Sequence, residues 1–278
     1  MVRELRAARV SRPLVMTAMA ERPRRVPAPL DEVRGEDLDT LDFARARLGF
    51  EPDPKQAAVP GGEHHRLILN CTRQWGKSTV TAAKAVHRAW SRAGSMTLVV
   101  SPSERQSAEF LRKAAEFVMR LGVTPRGDGD NPVSLAMPNG SRIVGLPGRE
   151  KTTRGFSAVS LLIVDEAAQV SEEQYLTVQP MLATVDGDIW MMSTPWGRQG
   201  FFWETWTSGG AEWTRISVPA TECPRIPASF LENARREMPE RWFRREFLCE
   251  FGDDGASLFD REMLMRAVRP GEKPLFVD

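Results

Sequence analysis

Short unbroken apolar runs alternate along this chain with longer stretches in which apolar residues return every third or fourth position. The runs are RLILN (Arg66 to Asn70), MTLVVS (Met96 to Ser101), SLLIVDEA (Ser160 to Ala167) and GDIWMMSTP (Gly187 to Pro195). Each is short and bounded by polar or turn residues, which predicts strands buried on both faces. Between them STVTAAKAVHRAW (Ser78 to Trp90) predicts a helix with a buried stripe. Phe110, Leu111, Ala114, Phe117, Val118 and Leu121 line one face of another, opened by a capping box at Ser103 and Gln106 and stopped at Gly122. Similar boxes, Ser171 with Gln174 and Ser229 with Glu232, open two more helices, and a further one begins near Pro239. Leu38 to Phe50 has helical spacing and stops at Gly49, while EPDPKQAAVP (Glu51 to Pro60) is expected to be a proline-punctuated loop. VSLAMPNGSRIVGLPG (Val133 to Gly148) alternates and turns at Asn139-Gly140, the signal of a hairpin.

Strands alternating with helices predict an α/β fold, a mostly parallel sheet with helices on both faces and a β-hairpin insertion. Three regions follow: an arm or lead-in over 1–40, a core over 41–220, and a helical C-terminal piece over 221–278. There is no internal repeat and no low-complexity tract.

Composition narrows the classes. Apolar residues make up 41% and charged residues 27% of the 278, as in ordinary globular proteins. No apolar run approaches the roughly 18 residues of a membrane span. The Arg-rich N-terminus has only a short apolar stretch, Leu14 to Ala20, so a basic arm is expected rather than a secretory signal. Cys71, Cys223 and Cys249 are odd in number and widely spaced, which argues against a disulfide framework or zinc site and for a reducing compartment. His64, His65 and His87 have no ligand-like spacing and are expected in loops and on a helix surface. Net charge is only +1, so the chain is no polycation. Its 32 arginines against six lysines suit bidentate phosphate contacts, although a GC-rich genome produces the same bias.

The chemistry concentrates at NCTRQWGKST (Asn70 to Thr79). A phosphate-binding Walker A loop reads G-x-x-x-x-G-K-S/T between a strand and a helix. Here Gly76-Lys77-Ser78 closes the pattern, but Cys71 stands where its first glycine belongs, a departure tolerable if that residue keeps φ negative. Backbone N–H groups of Gln74, Gly76, Lys77, Ser78 and Thr79 at a helix entrance would hold phosphate oxygens. Lys77 would reach the β- and γ-phosphates, and the Ser78 hydroxyl would ligate Mg²⁺. Asp165-Glu166 at the end of an apolar strand supplies the Walker B partner, with Asp165 for Mg²⁺ and Glu166 to polarise a water. The pair implies nucleotide hydrolysis. Arg73, inside the loop, could reach the γ-phosphate, and Arg154 could be an arginine finger, unless either is a surface arginine. Gln56 could read the N6 and N7 edge of adenine, so ATP is expected as the nucleotide. Lys77, Asp165-Glu166 and Ser193-Thr194 all fall at predicted strand ends, where such sheets bind ligands. Trp196, Phe201, Phe202, Trp203, Trp206 and Trp213 form an aromatic segment expected to be core or a lid more than a nucleic-acid stacking surface.

With these residues assembled, the chain resembles the ATPase domain of the large terminase subunits, the DNA-packaging motors of tailed bacteriophages. The resemblance runs from about Phe50 to Phe259 and rests on EPDPKQ, CTRQWGKS, VVSPSERQ, TRGFSAVSLLIVDEA, STPWGRQGFFWE and FLCEFGDDGASLF. The missing first glycine and the Arg73-Gln74 pair are traits of that family. The resemblance implies an ASCE/RecA-like P-loop fold that binds ATP and Mg²⁺, with Gln56 on adenine, Arg73, Gly76, Lys77 and Ser78 on the triphosphate, and Glu166 as catalytic base. It also implies that Ser193-Thr194 couples hydrolysis to DNA movement and that Arg154 acts on its own or a neighbouring subunit. Double-stranded DNA, the procapsid portal protein, the small terminase subunit and an active homo-oligomeric ring (a monomer when isolated) are the implied partners, in the host cytoplasm with no membrane. Full-length relatives continue into an RNase H-type nuclease domain, and KPLFVD, ending at Asp278, falls about where that domain would start. No nuclease activity is therefore expected of this chain. A helicase-like DNA-stimulated ATPase and an ATP-gated adaptor without turnover are the competing readings.

Overall fold

A computed structural model describes residues 38–62, 64–147 and 155–252. Its centre is a seven-stranded sheet in the order β3-β4-β2-β5-β6-β1-β7. The strands are β1 (Arg66–Cys71), β2 (Met96–Ser101), β3 (Ser134–Ala136), β4 (Arg142–Pro147), β5 (Val159–Asp165), β6 (Asp188–Ser193) and β7 (Thr214–Val218). Only β3 runs antiparallel; every other neighbouring pair is parallel. The register aligns the carboxyl ends, with Asn70 opposite Ser193 and Asp165 opposite Met192. The next residues of β1, β5 and β6 therefore emerge side by side.

Alternation along each strand separates two cores. Leu67, Leu69, Val99, Ile163 and Trp190 face one side, where α3 (Lys77–Ser91) and α4 (Glu104–Arg120) cover them. Ile68, Leu98, Val100, Leu162 and Met191 face the other, against α5 (Glu172–Val178) and α6 (Gly200–Ser208). Each such aliphatic side chain contributes about 1.5–3 kcal/mol on burial. Tyr175 of α5 stacks on Phe201 of α6 with ring centroids 4.3 Å apart. At the amino edge Arg88 of α3 pairs with buried Asp188 of β6, which also meets His65 Nδ1 at 3.0 Å. That network fixes α3 across the sheet. The predicted helix at Leu38 to Phe50 is α1 (Thr40–Ala46), packed on α3.

Several expectations are corrected. The hairpin is the sheet's edge rather than an insertion, because β4 pairs in parallel with β2 over its whole length. Its turn also caps α3, for Asn139 Nδ2 donates to Ala89 O at 2.8 Å and Trp90 O at 3.2 Å. The proline-punctuated segment contains a short helix, α2 (Pro54–Ala58), in which Asp53 and Gln56 form a reciprocal capping box and Pro54 sits at the first turn. The helix expected from Ser229 is α7 (Ala228–Glu237), but Pro227 is its N-cap and the exposed Ser229 caps nothing. The last, α8 (Glu240–Leu248), begins after Pro239. His87 is not a surface residue: it lies between Thr40 Oγ1 at 2.8 Å and Leu38 O at 3.0 Å, and burial lowers its pKa to about 4. The three cysteines are free and buried, and no described helix is long and apolar enough to cross a membrane.

Candidate functional site

The turn 72–76 leaves the end of β1 and enters α3 at Lys77. Gly76, the N-cap, has φ 93° and offers no side chain to the first turn, which also holds no acidic residue. The first intrahelical bonds come from Thr79 and Val80 to Gly76 O, so the preceding N–H groups point out of the helix end. Such an end attracts anions. The left-handed φ favours glycine here, and a Cβ on Gly76 would sit 2.8 Å from Gln56 Nε2 and displace that amide from its bond to Trp75 O. Cys71 needs no such freedom, since it is the last residue of β1 and lies outside the left-handed region. The second positive φ of the turn falls on Gln74, at 65°.

Distant parts of the chain clamp this turn. Trp75 is fully buried in the α3/α4 core, and its carbonyl accepts from Gln56 Nε2 at 2.7 Å and from Arg225. Gln56 Oε1 accepts from Asp53 N at 3.1 Å, while Arg225 Nη2 lies 3.3 Å from Asp53 Oδ2. From α8, Glu246 O accepts from Thr72 Oγ1 at 2.8 Å and Cys249 O accepts from Asn70 Nδ2 at 2.8 Å. The Glu246 carboxylate takes Arg73 Nε at 2.6 Å. Arg73 is thus paired with α8 rather than standing free over the helix end.

Across from the turn, β5 ends at Asp165, and Glu166 follows with φ 51° and ψ 46°. A left-handed conformation on a non-glycine residue is strained and turns the Glu166 side chain toward α3. Lys77 Nζ lies 3.0 Å from Glu166 Oε1, and Ser193 Oγ lies 3.3 Å from Glu166 Oε2. The single Ser193 hydroxyl proton has Thr194 O, at 2.7 Å, as its alternative acceptor, while buried Thr194 Oγ1 has no partner among the described residues. Asp165 is 6% exposed and its Oδ1 has no hydrogen-bond partner among them. Burial first, then the Glu166 charge, pushes its carboxyl up to about 7, against the lowering pull of Lys77 and Lys113.

Two adjoining clefts open here. One of about 520 Å³ is lined by Phe50, Gln56, Arg73, Gln74, Gly76, Lys77, Ser78, Thr79, Lys113, Glu166 and Arg225. The other, about 420 Å³, reaches from Ser78 past Ser103 and Gln106 to Asp165 and Glu166. Both volumes suit a small organic ligand. Mg²⁺ takes one or two carboxylates and otherwise phosphate or water oxygens. An orphaned buried carboxylate oxygen in the same cleft as the Ser78 hydroxyl fits that demand. Among the described residues no group of three or more acidic, His or Cys side chains could hold a metal, and such a site needs none.

Every predicted residue except Arg154, which lies outside the described residues, is at this carboxyl edge. Arg225, Lys113, Phe50 and Glu246 were not singled out from the sequence. Lys113 is brought by α4 and Glu246 by α8, Phe50 follows α1 and Arg225 lies just before α7, and no local pattern announces them. The aromatic segment divides: Phe201, Phe202 and Trp213 are core, whereas Trp196 is 42% exposed and stacks on Arg245 at 4.1 Å.

The family model for the large terminase subunit of T4-like-virus type, N-terminal part, matches residues 68–266. The ATPase domain of the Thermus phage P74-26 large terminase aligns over 77% of this chain and 99% of its own, with TM-score 0.68 and 21% identity. The HK97 bacteriophage large terminase aligns over 78% of this chain and 55% of its own, with TM-score 0.64 and 17% identity. A large terminase of a thermophilic bacteriophage in complex with ATP-gamma-S aligns over 77% and 51%, with TM-score 0.59 and 11% identity. These likenesses are likenesses of fold. No curated protein matches the chain.

Proposed function

Because this chain belongs to the phage large terminase subunits as their N-terminal ATPase domain, we propose that it hydrolyses ATP to drive double-stranded DNA into a procapsid. One observation carries the reading: Lys77 and Glu166 meet at 3.0 Å in a cleft at an uncapped helix end, and Glu166 also lines the adjoining cleft, where Asp165 Oδ1 has no hydrogen-bond partner among the described residues. The strand order supports an ASCE/RecA-like fold, because β6 intervenes between β1, which leads to Lys77, and β5, which ends at Asp165. Residues 71–78 are then the Walker A loop and 161–166 the Walker B strand.

In this reading the N–H groups of the turn and of the first turn of α3 hold the β- and γ-phosphates. Lys77 leaves Glu166 for the phosphate oxygens. The freed carboxylate accepts the proton of the attacking water, held in place by the Ser193 hydroxyl. Ser78 and Asp165 would hold Mg²⁺, which would supply positive charge against the charge on the phosphates. Gln56, tied to Trp75 O, links the base end of the cleft to the loop. Arg73 reaches the γ-phosphate on leaving Glu246, and Arg154 serves as a finger to its own or a neighbouring site. Ser193, whose hydroxyl lies 3.3 Å from Glu166, relays turnover to DNA together with Thr194. The portal protein, the small terminase subunit and a homo-oligomeric ring complete the motor, in the host cytoplasm. The division into an arm (1–40), a core (41–220) and a helical C-terminal subdomain (221–278) belongs to this reading.

Steady-state ATP hydrolysis with Mg²⁺, measured over a wide range of protein concentration, tests it. Lys77→Ala and Glu166→Gln should each lower the rate by about a hundredfold or more. If Arg154→Ala also fails and mixing it with Glu166→Gln restores turnover, the finger acts between subunits. Absence of ATP binding by the unaltered protein would falsify the whole reading.

A further inference from the structure

We infer that Lys113 is a further catalytic residue, a cation brought by α4 to the γ-phosphate oxygens from within the same chain. The inference rests on the nucleotide reading above and adds to it a group outside both motifs.

Four cations line the larger cleft. Arg73 is paired with Glu246, Lys77 with Glu166, and Arg225 with Asp53 and the Trp75 carbonyl. Lys113 alone has no hydrogen-bond or ion-pair partner among the described residues. Its natural helical partner is Glu109, one turn back, but Arg112 occupies both oxygens of that carboxylate, at 2.7 and 3.0 Å. No ion pair joins Lys113 to Glu109, and Lys113 lines the cleft.

Its place is specific. Only Lys113, Ser78 and Glu166 line both clefts, so it stands where the hydroxyl and the carboxylates meet. Long side chains on a helix lean toward its N-terminus. The N-terminus of α4, capped by Ser103 directly after β2, lies at the carboxyl edge of the sheet. The lean therefore carries the Lys113 ammonium toward the site. Its charge is already felt there, opposing ionisation loss at Asp165.

The chemistry needs such a charge. In phosphoryl transfer to water, the bond between the γ-phosphorus and the β,γ-bridging oxygen breaks as the water oxygen bonds to phosphorus. The proton goes to Glu166 and the electron pair to ADP. Negative charge spreads over the three equatorial oxygens on the way. A preformed cation beside those oxygens stabilises that state more than the ground state. A lysine's three rotatable donors can follow the oxygens as they flatten.

Lys113→Met keeps the apolar stem and removes the charge; Lys113→Arg restores charge. ADP and ATP-gamma-S binding are measured by calorimetry, and hydrolysis is followed in the same preparations. Lys113→Met should keep its ADP affinity within about twofold, lose about tenfold in ATP-gamma-S affinity, and lose about tenfold or more in kcat. Lys113→Arg should recover part of both losses. An unchanged ratio of ATP-gamma-S to ADP affinity in Lys113→Met, with thermal unfolding like that of the unaltered protein, overturns the proposal. If the unaltered protein binds both nucleotides normally, that failure leaves the ATPase reading standing. If it binds neither, both fall.

Discussion

Burial and the neighbouring Glu166 charge favour the protonated form of Asp165. Its carboxyl is raised from 3.8 to about 7, mainly by burial and then by Glu166. Between those values the folded protein binds more protons than the unfolded chain, so this group's contribution to stability falls as pH rises through that window. In metal-free buffer, Asp165→Asn should therefore raise Tm by a few degrees at about pH 8, and the gain should vanish near pH 4. A gain of equal size at both pH values, seen in thermal melts with chelator, would contradict the burial argument. Lys77, Ser78, Asp165 and Glu166 were legible because a strand, a turn and a helix bracket them locally. Arg225 and Glu246 were not, since they meet Trp75 and Arg73 across 150 and 173 residues of chain. The missing glycine also needed the structure: only the backbone could show that Cys71 ends a strand and that Gln74 takes the left-handed turn.

At the scale of elements, three capping boxes looked alike. Ser103 and Ser171 do accept from the N–H three residues on, but Ser229 does not, because α7 begins two residues earlier than a Ser229 cap would place it, after the extended Pro227. Ser103→Ala should cost about 1 kcal/mol, whereas Ser229→Ala should stay within about 0.5 kcal/mol. Chemical denaturation of the two variants checks this, and equal losses would show that Ser229 caps in solution. The α2 helix was hidden by its prolines, although Pro54 at the first turn costs nothing there. Strand β7 was missed because TRISV is short and half-exposed, and its strand character comes from pairing with β1. The long buried strands and α3 and α4 carried their own signal, since both faces of the former and one stripe of the latter had to be apolar.

For the whole molecule, the consequential feature is that α8, the last helix among the described residues, closes the base of the 72–76 turn. Without α8, the Asn70 amide, the Thr72 hydroxyl and the Arg73 guanidinium lose their acceptors. Each buried donor left unmatched costs about 1–3 kcal/mol. A chain ending at Met238 should still unfold cooperatively but bind ATP-gamma-S at least about tenfold more weakly. Undiminished affinity in that truncation would show that the loop holds its shape alone. The sequence by itself determined the parallel α/β class, the order of its main elements, and that Lys77, Asp165 and Glu166 stand together at one edge of the sheet. Those follow from periodicity and from residues adjacent along the chain. The tertiary structure alone decided which strand closes the sheet, what clamps the loop, and which cation is left unpaired in the cleft. Such contacts join residues far apart in sequence, and each is specified by packing and hydrogen-bond satisfaction rather than by any local pattern.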